Sequence, residues 1–161
     1  MNRRLIALAV VGLALSACAS KPTITSDVTR GVNFSAYQSY AWVNTPPPGG
    51  MNPVAWERVR QDVDGAMTTK GYTKADPGDL AVILTIGARD KTDINTWGRW
   101  GRQVSVYQYT EGKISIDIFD SKTKQPLWHG QATQTIDPGK PDPSLIDTAV
   151  TELMAKFPAR T

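Results

Sequence analysis

The chain has 161 residues, of which 40% are hydrophobic and 20% charged, so it is long enough to form one domain with a core of its own. Eighteen Lys and Arg residues stand against fifteen Asp and Glu, and the formal net charge is only +3. This weak positive balance gives no basis for predicting a nucleic-acid partner.

The N-terminal segment has the three parts of a secretory signal peptide. Arg3 and Arg4 precede an apolar or glycine run over 5–15, and the small residues Ser16 and Ala17 follow. The run is shorter than the roughly 20 residues that a membrane-spanning helix needs. It also has no polar residue that would give a buried helix a solvent face. We therefore predict that residues 1–17 are a signal peptide.

The end of this segment, Leu15-Ser16-Ala17-Cys18, resembles the lipobox of bacterial lipoproteins. The resemblance implies that Cys18 becomes the first residue of the mature chain and carries a diacylglycerol and an acylated amine, with palmitate as a typical acyl chain. Two or more acyl chains hold a protein stably on a membrane. Ala19, in place of an aspartate, implies the outer membrane, with the domain facing the periplasm. A free thiol at Cys18 is the alternative.

Lipidation of Cys18 would remove the only cysteine from any site chemistry. Neither a disulfide within the chain nor a thiolate metal site is then expected. Loss of Arg3 and Arg4 with the signal peptide leaves sixteen basic residues against fifteen acidic ones, a net charge of +1. The charge and the periplasmic compartment both argue against a nucleic-acid partner.

The first half of the mature chain is predicted to contain a tether, two short strands and a helix. Residues 18–27 are small and polar and read as the tether. Two extended pieces follow between residues 28 and 43, and the run NTPPPGG (44–50) breaks regular structure. A helix begins behind Asn52 and ends near Gly71. Its apolar residues recur at helical spacing on one face: Trp56, Val59, Val63 and Met67.

The second half is predicted to contain three strands and a helix. LAVILTIGA (80–88) is apolar on nearly both faces, which is typical of a strand in the middle of a covered sheet. Residues 112–120 and 127–136 are predicted to pair as an antiparallel hairpin. A last helix begins at Pro143 and ends before Pro158. We predict one α+β domain over residues 28–161, a mostly antiparallel sheet of about four to five strands with two main helices packed on one face.

Several pieces resemble a bacterial lipoprotein family, domain of unknown function 4136. They are FSAYQSYAWV (34–43), KGY (70–72), YTEGKISIDIFDSKTKQPLWHG (109–130) and MAKFP (154–158). The resemblance implies an envelope lipoprotein with an α+β domain and supplies no activity, cofactor or catalytic residue. The family turn usually has glycine where this chain has Lys124. We expect a wider turn here, because a left-handed lysine costs about 1 kcal/mol.

The residue types of a catalytic or metal site are present but not in a supporting pattern. His129 is the only histidine and has no serine or cysteine in motif relation to it. Asp117 and Asp120 are predicted to point to opposite faces of a strand, so they cannot share a substrate atom. DKTDIN (90–95) lacks the ligand pattern of a calcium loop. We expect no catalytic residue, metal or cofactor, with a hydrolase using Asp117 or Glu111 as the alternative.

An aromatic and basic insertion is predicted at residues 89–106. Its candidate binding residues, with Tyr107 just beyond, are Trp97, Arg99, Trp100, Arg102 and Tyr107. They could stack on a glycan, lie in a lipid headgroup layer or contact an envelope protein. Alternatively, the segment folds back and caps the core of its own domain.

The sequence thus predicts a lipid-anchored periplasmic envelope protein that works by binding or scaffolding, without catalysis. Its expected partners are the membrane, through Cys18, and an envelope protein or a glycan. A cell-wall glycan-acting hydrolase, or a glycan-binding module that uses Trp97 and Trp100, is the alternative function.

Overall fold

The computed structural model describes residues 21–97, 103–137, 140 and 142–160, with the backbone alone at 96, 97, 103 and 104. These residues form one six-stranded sheet and two α-helices, with a short 3-10 turn at Phe34–Ala36. The strands are β1 Thr23–Val28, β2 Ser39–Trp42, β3 Thr73–Lys74, β4 Leu80–Trp97, β5 Gln103–Asp120 and β6 Pro126–Ile136. The helices are α1 Pro53–Thr69 and α2 Pro143–Ala155.

The strand order in the sheet is β1-β6-β5-β4-β2-β3. Strands β1, β6, β5 and β4 pair antiparallel, whereas β2 runs parallel to both β4 and β3. The predicted α+β class is confirmed, and the sheet is mixed and has six strands rather than four to five. The added strands are β1 and β3. The prediction of the first of the two extended pieces between residues 28 and 43 is wrong, because this piece forms the 3-10 turn at Phe34–Ala36. Strand β1 has only one half-buried side chain, Ile24, and β3 is two residues long, so neither has an apolar alternation to detect.

Both helices contribute their apolar stripes to one core on one face of the sheet. The side chains of Asn52 and Asp142 cap α1 and α2 by accepting hydrogen bonds from the N–H groups of Val54 and Ser144. The core under the helices includes Trp56, Val59, Val63 and Met67 of α1, and Ala149, Val150, Leu153 and Met154 of α2. The sheet contributes Leu80, Val82, Leu84, Ile114, Ile116, Ile118 and Trp128. The predicted stripe of α1 is therefore confirmed.

The opposite face of the sheet carries alternate residues of β4, β5 and β6, and no described helix or strand covers it. The sequence predicted a cover on both faces of β4 because Ile83 and Ala81 are apolar. Both residues are only half-buried. They are shielded by their neighbours within the sheet rather than by another layer.

Strands β4 and β5 continue as a two-stranded arm beyond the rest of the sheet. Strand β2 pairs with β4 only at Leu80–Val82, and β6 pairs with β5 only as far as Thr110. Residues 91–97 and 103–109 therefore pair only with each other, and we call them the arm. The predicted insertion at 89–106 is thus mostly strand. Its described side chains form no buried face, so its sequence lacks the alternation that reveals a half-buried strand.

The domain begins earlier than predicted. Residues 23–27 of the predicted tether belong to β1, whose first residue, Thr23, pairs with Thr133 of β6. The tether between Cys18 and the domain is correspondingly shorter. Among the described residues, neither helix is long and apolar enough to cross a membrane.

The β5–β6 turn is closed tightly around Asp120. Its carboxylate accepts hydrogen bonds from the N–H groups of Lys122 and Thr123, both at 2.8 Å. Lys124 takes the left-handed conformation, with φ of 62°, and its N–H donates to the Asp120 carbonyl. The expected wider turn is wrong, because hydrogen bonds to Asp120 hold Lys124 in a conformation that lysine disfavours.

Candidate functional site

The arm is exposed on both of its faces. Ile94 and Val106 lie directly opposite each other and are 65% and 60% exposed. Tyr107, which pairs with Asp93 on the other face, is 62% exposed. Three of the domain's most exposed large apolar side chains thus lie on one short ribbon. Such a concentration is typical of a contact surface.

Two tyrosines form an aromatic stack on one face of the arm. The rings of Tyr107 and Tyr109 lie 5.9 Å apart between centroids, with an interplanar angle of 25°. Tyr109 is half-buried beside its cross-strand partner, Lys91. Of the predicted binding residues, Tyr107 is therefore exposed and able to contact a partner.

The other predicted site residues are not described in full. The backbone of Trp97 ends β4, opposite Gln103, and its side chain lies outside the description. Cys18, Arg99, Trp100 and Arg102 all lie outside the described residues.

Ion pairs and a hydrogen bond between β4 and β5 stabilise the base of the arm. Glu111 accepts hydrogen bonds from Lys91 at 2.6 Å and from Arg89 at 2.9 Å. The hydrogen bond from Lys91 lowers the pKa of Glu111 most, and the hydrogen bond from Arg89 lowers it further. Asp90 accepts a hydrogen bond from the Thr110 hydroxyl at 2.7 Å. Glu111 is thus a paired, ionised carboxylate, which makes it unsuited to act as a general acid.

The open sheet face brings together two residues that the sequence treated separately. Asp117 and His129 lie opposite each other on β5 and β6, and Asp117 Oδ1 lies 2.6 Å from His129 Nδ1. Their side chains are 30% and 43% exposed. His129 faces away from the buried Trp128, and Asp117 faces solvent, as predicted. The register of the predicted hairpin, counted back from its turn, is the signal that pairs them.

This pair does not extend into a catalytic constellation among the described residues. Ser115 is buried on the same face, but its hydroxyl makes no hydrogen bond to His129 or to any other described group. Asp117 and Glu111 are six residues apart on one strand, which separates them by roughly 20 Å. Glycosidase carboxyl groups lie about 5–10 Å apart. No cluster of three or more His, Cys, Asp or Glu in the described part of the chain could hold a metal ion.

A second polar cluster centres on Asp64 at the other edge of the sheet. Its carboxylate accepts hydrogen bonds from the Tyr40 hydroxyl at 2.8 Å, the Trp42 indole at 2.7 Å and Lys74 Nζ at 2.8 Å. Burial opposes ionisation, but these three donors together lower the pKa of Asp64. Because Asp64 lies outside the predicted apolar stripe of α1, its side chain would be expected to point to solvent. Instead it ties α1 to strands β2 and β3.

An open cavity of about 450 Å³ lies beside this cluster. The Arg60 guanidinium stacks 4.9 Å above the Trp42 ring at its wall, and Lys74 and Asp76 also line it. The charges of the lining residues are mixed, and Lys74 is already held by Asp64. The cluster therefore stabilises the fold, and no single ligand charge is favoured in the cavity.

A groove between the two helices contains a pair of acidic residues. Asp62 of α1 lies close to Asp147 of α2, which forms an ion pair with Arg58. Burial, followed by the charge of Asp147, raises the pKa of Asp62. One carboxylate oxygen of each aspartate is buried without a hydrogen-bond partner among the described residues. Ionisation of Asp62 is thus unfavourable for the folded state.

The sequence matches a known family over nearly the whole described domain. Residues 24–159 match the model of "Domain of unknown function (DUF4136)". The chain belongs to this family. The DUF4136 match includes the arm, the open face and both helices, so all the features described above lie within the family domain. No curated protein matches the sequence.

Solved structures with 12–14% sequence identity share this fold. A DUF4136 family protein from Bacteroides thetaiotaomicron is similar with a TM-score of 0.60 and 14% identity, covering 89% of this chain and 99% of that one. A PelC dodecamer from Paraburkholderia phytofirmans gives a TM-score of 0.56 and 12% identity, covering 87% of this chain and 99% of that one.

A PDZ domain protein from Parabacteroides distasonis gives a TM-score of 0.62 and 13% identity, with 86% of this chain covered. This chain spans only 36% of that protein's length. At these identities the likeness shows a shared fold, and it assigns no activity to this DUF4136 domain.

Proposed function

We propose that this DUF4136 domain is a lipid-anchored periplasmic protein of the outer membrane that acts by binding or scaffolding in the envelope, without catalysis. The arm is the observation that carries the proposal. It is a continuously paired two-stranded ribbon with ion pairs at its base, and it presents Ile94, Val106 and Tyr107 to solvent. Exposed apolar side chains on a projecting element are typical of an interaction surface.

The proposed anchor is supported by the short distance between the lipobox-like cysteine and the domain. Four residues lie between Cys18 and Thr23, the first residue of β1, so five Cα–Cα steps join the two. A fully extended chain of that length spans at most about 18 Å. A lipid on Cys18 would therefore hold the folded domain close to the membrane surface.

The anchor is tested by replacing Cys18 with serine. We expect wild type to partition with the outer membrane and to show the mass of a triacylated mature chain. Cys18→Ser should lose the acyl mass and appear in the soluble periplasmic fraction. A wild-type chain of unmodified mass, or a Cys18→Ser chain that remains acylated, would refute the anchor.

A binding role is tested on the arm. We expect Tyr107→Ala, and separately Trp97→Ala with Trp100→Ala, to leave the thermal stability of the domain unchanged and to reduce crosslinking to envelope components in cells. Thr123→Ala, in the exposed β5–β6 turn, is the matched control and should crosslink as wild type does. If the tryptophan variant unfolds the domain, those side chains belong to its core and the binding role loses its support.

A glycan-binding module is the second candidate. The Tyr107–Tyr109 stack favours it, because aromatic faces are suited to packing against sugar rings. In this case the wild-type chain should bind soluble cell-wall glycan fragments in calorimetry, and Tyr107→Ala should not.

The related hydrolase hypothesis names Asp117 or Glu111 as the catalytic carboxylate, and a second carboxylate would have to lie nearby. Their separation and the ion pairs of Glu111 both oppose it. Asp117→Asn and Glu111→Gln should accordingly leave any turnover of cell-wall glycan in a purified sample unchanged. Loss of a measurable turnover in both variants would establish an enzyme in place of the binding role.

A further inference from the structure

The tether and the arm leave the domain at the same end of the sheet. Thr23 of β1 pairs with Thr133 of β6, which pairs with Lys113 of β5, which in turn pairs with Gly87 of β4. Strand β1 runs away from this row toward the opposite end of the sheet. The chain that precedes Thr23 therefore emerges on the side where the arm begins.

The arm extends further from this row than the tether can. Ten residues along β4 separate Gly87 from Trp97, so the ribbon extends by roughly 33 Å. The tether from Thr23 to Cys18 spans at most about 18 Å. A lipid on Cys18 thus keeps the base of the arm within reach of the bilayer, and the arm is long enough to meet the headgroup layer.

The arm's exposed side chains suit a lipid interface better than an electrostatic contact. Ile94 and Val106 form an apolar pair on one face, and Tyr107 lies on the other. Tyrosine is enriched at membrane interfaces. The cationic groups at the base, Arg89 and Lys91, are both ion-paired with Glu111, and Asp90 and Asp93 on the same strand offset the remaining positive charge. Apolar insertion rather than charge would therefore provide the attraction.

The backbone of the arm limits how deeply the arm can insert into a bilayer. Both edges of the two-stranded arm carry N–H and C=O groups that no other described strand pairs with. Unpaired backbone groups are costly in hydrocarbon, so an open ribbon cannot span a membrane. The headgroup region still supplies water and polar groups to these edges. Shallow insertion of the apolar side chains satisfies both requirements.

We propose that the arm is a second membrane contact, in which Ile94 and Val106 enter the interface of the bilayer that holds the lipid of Cys18. This proposal rests on the proposed lipid anchor. The lipid keeps the arm at a high local concentration near the surface, so even a weak apolar contact is populated. The two contacts together fix the orientation of the domain relative to the membrane.

Single-cysteine labelling of the lipidated chain tests the contact. The sequence has no cysteine other than Cys18, so Ile94→Cys or Val106→Cys provides the only free thiol once Cys18 is lipidated. Each variant carries a polarity-sensitive fluorophore and is reconstituted in vesicles of phosphatidylethanolamine and phosphatidylglycerol. Thr123→Cys, in the turn at the opposite end of the sheet, is the control.

Labels at Ile94 and Val106 should shift to shorter emission wavelengths on reconstitution and be quenched by lipids with a headgroup nitroxide. The label at Thr123 should show neither effect. Unchanged emission at Ile94 and Val106 in vesicle-bound, lipidated protein overturns the arm contact and leaves the anchor intact. An intact-mass measurement that finds no lipid on Cys18 overturns both proposals.

Partitioning of the non-lipidated chain between water and vesicles independently measures the affinity of the arm for a bilayer. Mature Cys18→Ser protein should bind the same vesicles weakly. Adding Ile94→Ser and Val106→Ser should reduce this binding about tenfold, which corresponds to 1.4 kcal/mol. Val54→Ser, at an α1 position that is 77% exposed, is the matched control and should have no effect. Equal binding by the arm variant and the control, or arm labels protected only by a protein partner, would refute the membrane contact.

Discussion

Replacing Lys124 with glycine should stabilise the domain. Lys124 has a φ of 62°, in the left-handed region, where a side chain costs about 1–2 kcal/mol. Glycine removes that cost but loses about 0.5–1 kcal/mol through the greater freedom of the unfolded chain. The N–H of residue 124 still donates to the Asp120 carbonyl, so the turn is retained. The expected net gain is about 0.5–1 kcal/mol.

Chemical denaturation followed by tryptophan fluorescence measures this gain. Five tryptophans are available as reporters, and Trp128 is buried in the core. Lys122→Gly is the matched control, because it removes the same charge from the same turn at a residue without a positive φ. We expect Lys122→Gly to destabilise the domain by up to about 1 kcal/mol. Equal effects of Lys124→Gly and Lys122→Gly would show that backbone strain is not relieved, and the reasoning would fail.

Three further predictions concern the core, the Asp64 cluster and the helix groove. Gly130→Ala should lower the free energy of unfolding by about 1–3 kcal/mol, because its Cβ would lie 2.1 Å from the Trp128 ring. The control Gly87→Ala should not destabilise the domain, because its Cβ would meet no atom within 4 Å. Asp64→Ala should cost about 2–3 kcal/mol because it leaves the buried Tyr40 hydroxyl and two other donors unpaired. Asp62→Asn should stabilise the fold at neutral pH by under about 1 kcal/mol, because the ionised form is disfavoured there.

The pH dependence separates the two aspartates. The pKa of Asp64 is lowered in the folded state, so its stabilisation is present at neutral pH and is lost as the pH falls through the folded-state pKa. Asp64→Asn removes this charge, so its free energy of unfolding should be lower than that of wild type at neutral pH. The difference should narrow in acid. The pKa of Asp62 is raised, so protonation favours the folded state and the advantage of Asp62→Asn should also fade in acid.

Urea unfolding from pH 7 down to about pH 2.5, below the ordinary aspartate pKa of about 3.9, measures both effects. A deficit of Asp64→Asn that is independent of pH would contradict its assignment as a charged hydrogen-bond acceptor. An Asp62→Asn chain less stable than wild type at pH 7 would contradict the groove interpretation. A Gly130→Ala chain as stable as Gly87→Ala would show that Trp128 can move away without cost.

The helices were predictable because the local signals agree with each other. Asn52 and Asp142 are capping residues followed by proline, and each helix has one apolar stripe that meets the core. The β5–β6 hairpin was predictable for a similar reason, since apolar alternation flanks a turn-forming segment. The polar strand β1 and the arm were not predictable, because residues exposed on both faces have no hydrophobic period.

The candidate site depended more heavily on tertiary contacts. The exposure of Tyr107 was not predictable, because the sequence left open whether the insertion contacts a partner or caps the core. The Asp117–His129 pair likewise required the register between two strands. The Asp64 cluster required three elements to meet, since its donors come from β2 and β3 and its carboxylate from α1.

By itself, the sequence determined the α+β class, both helices and their buried faces, and it supports the prediction of a lipid on Cys18. These features depend on spacing within one segment. Only the tertiary structure decided that β1 begins at Thr23 and that β4 and β5 extend beyond the other strands of the sheet. It also decided that the arm and the chain preceding β1 lie at the same end of the sheet. Outside the β4–β5 and β5–β6 pairs, strand order and register arise from hydrogen bonds between segments that no short turn joins, and no local sequence pattern encodes which of them will pair.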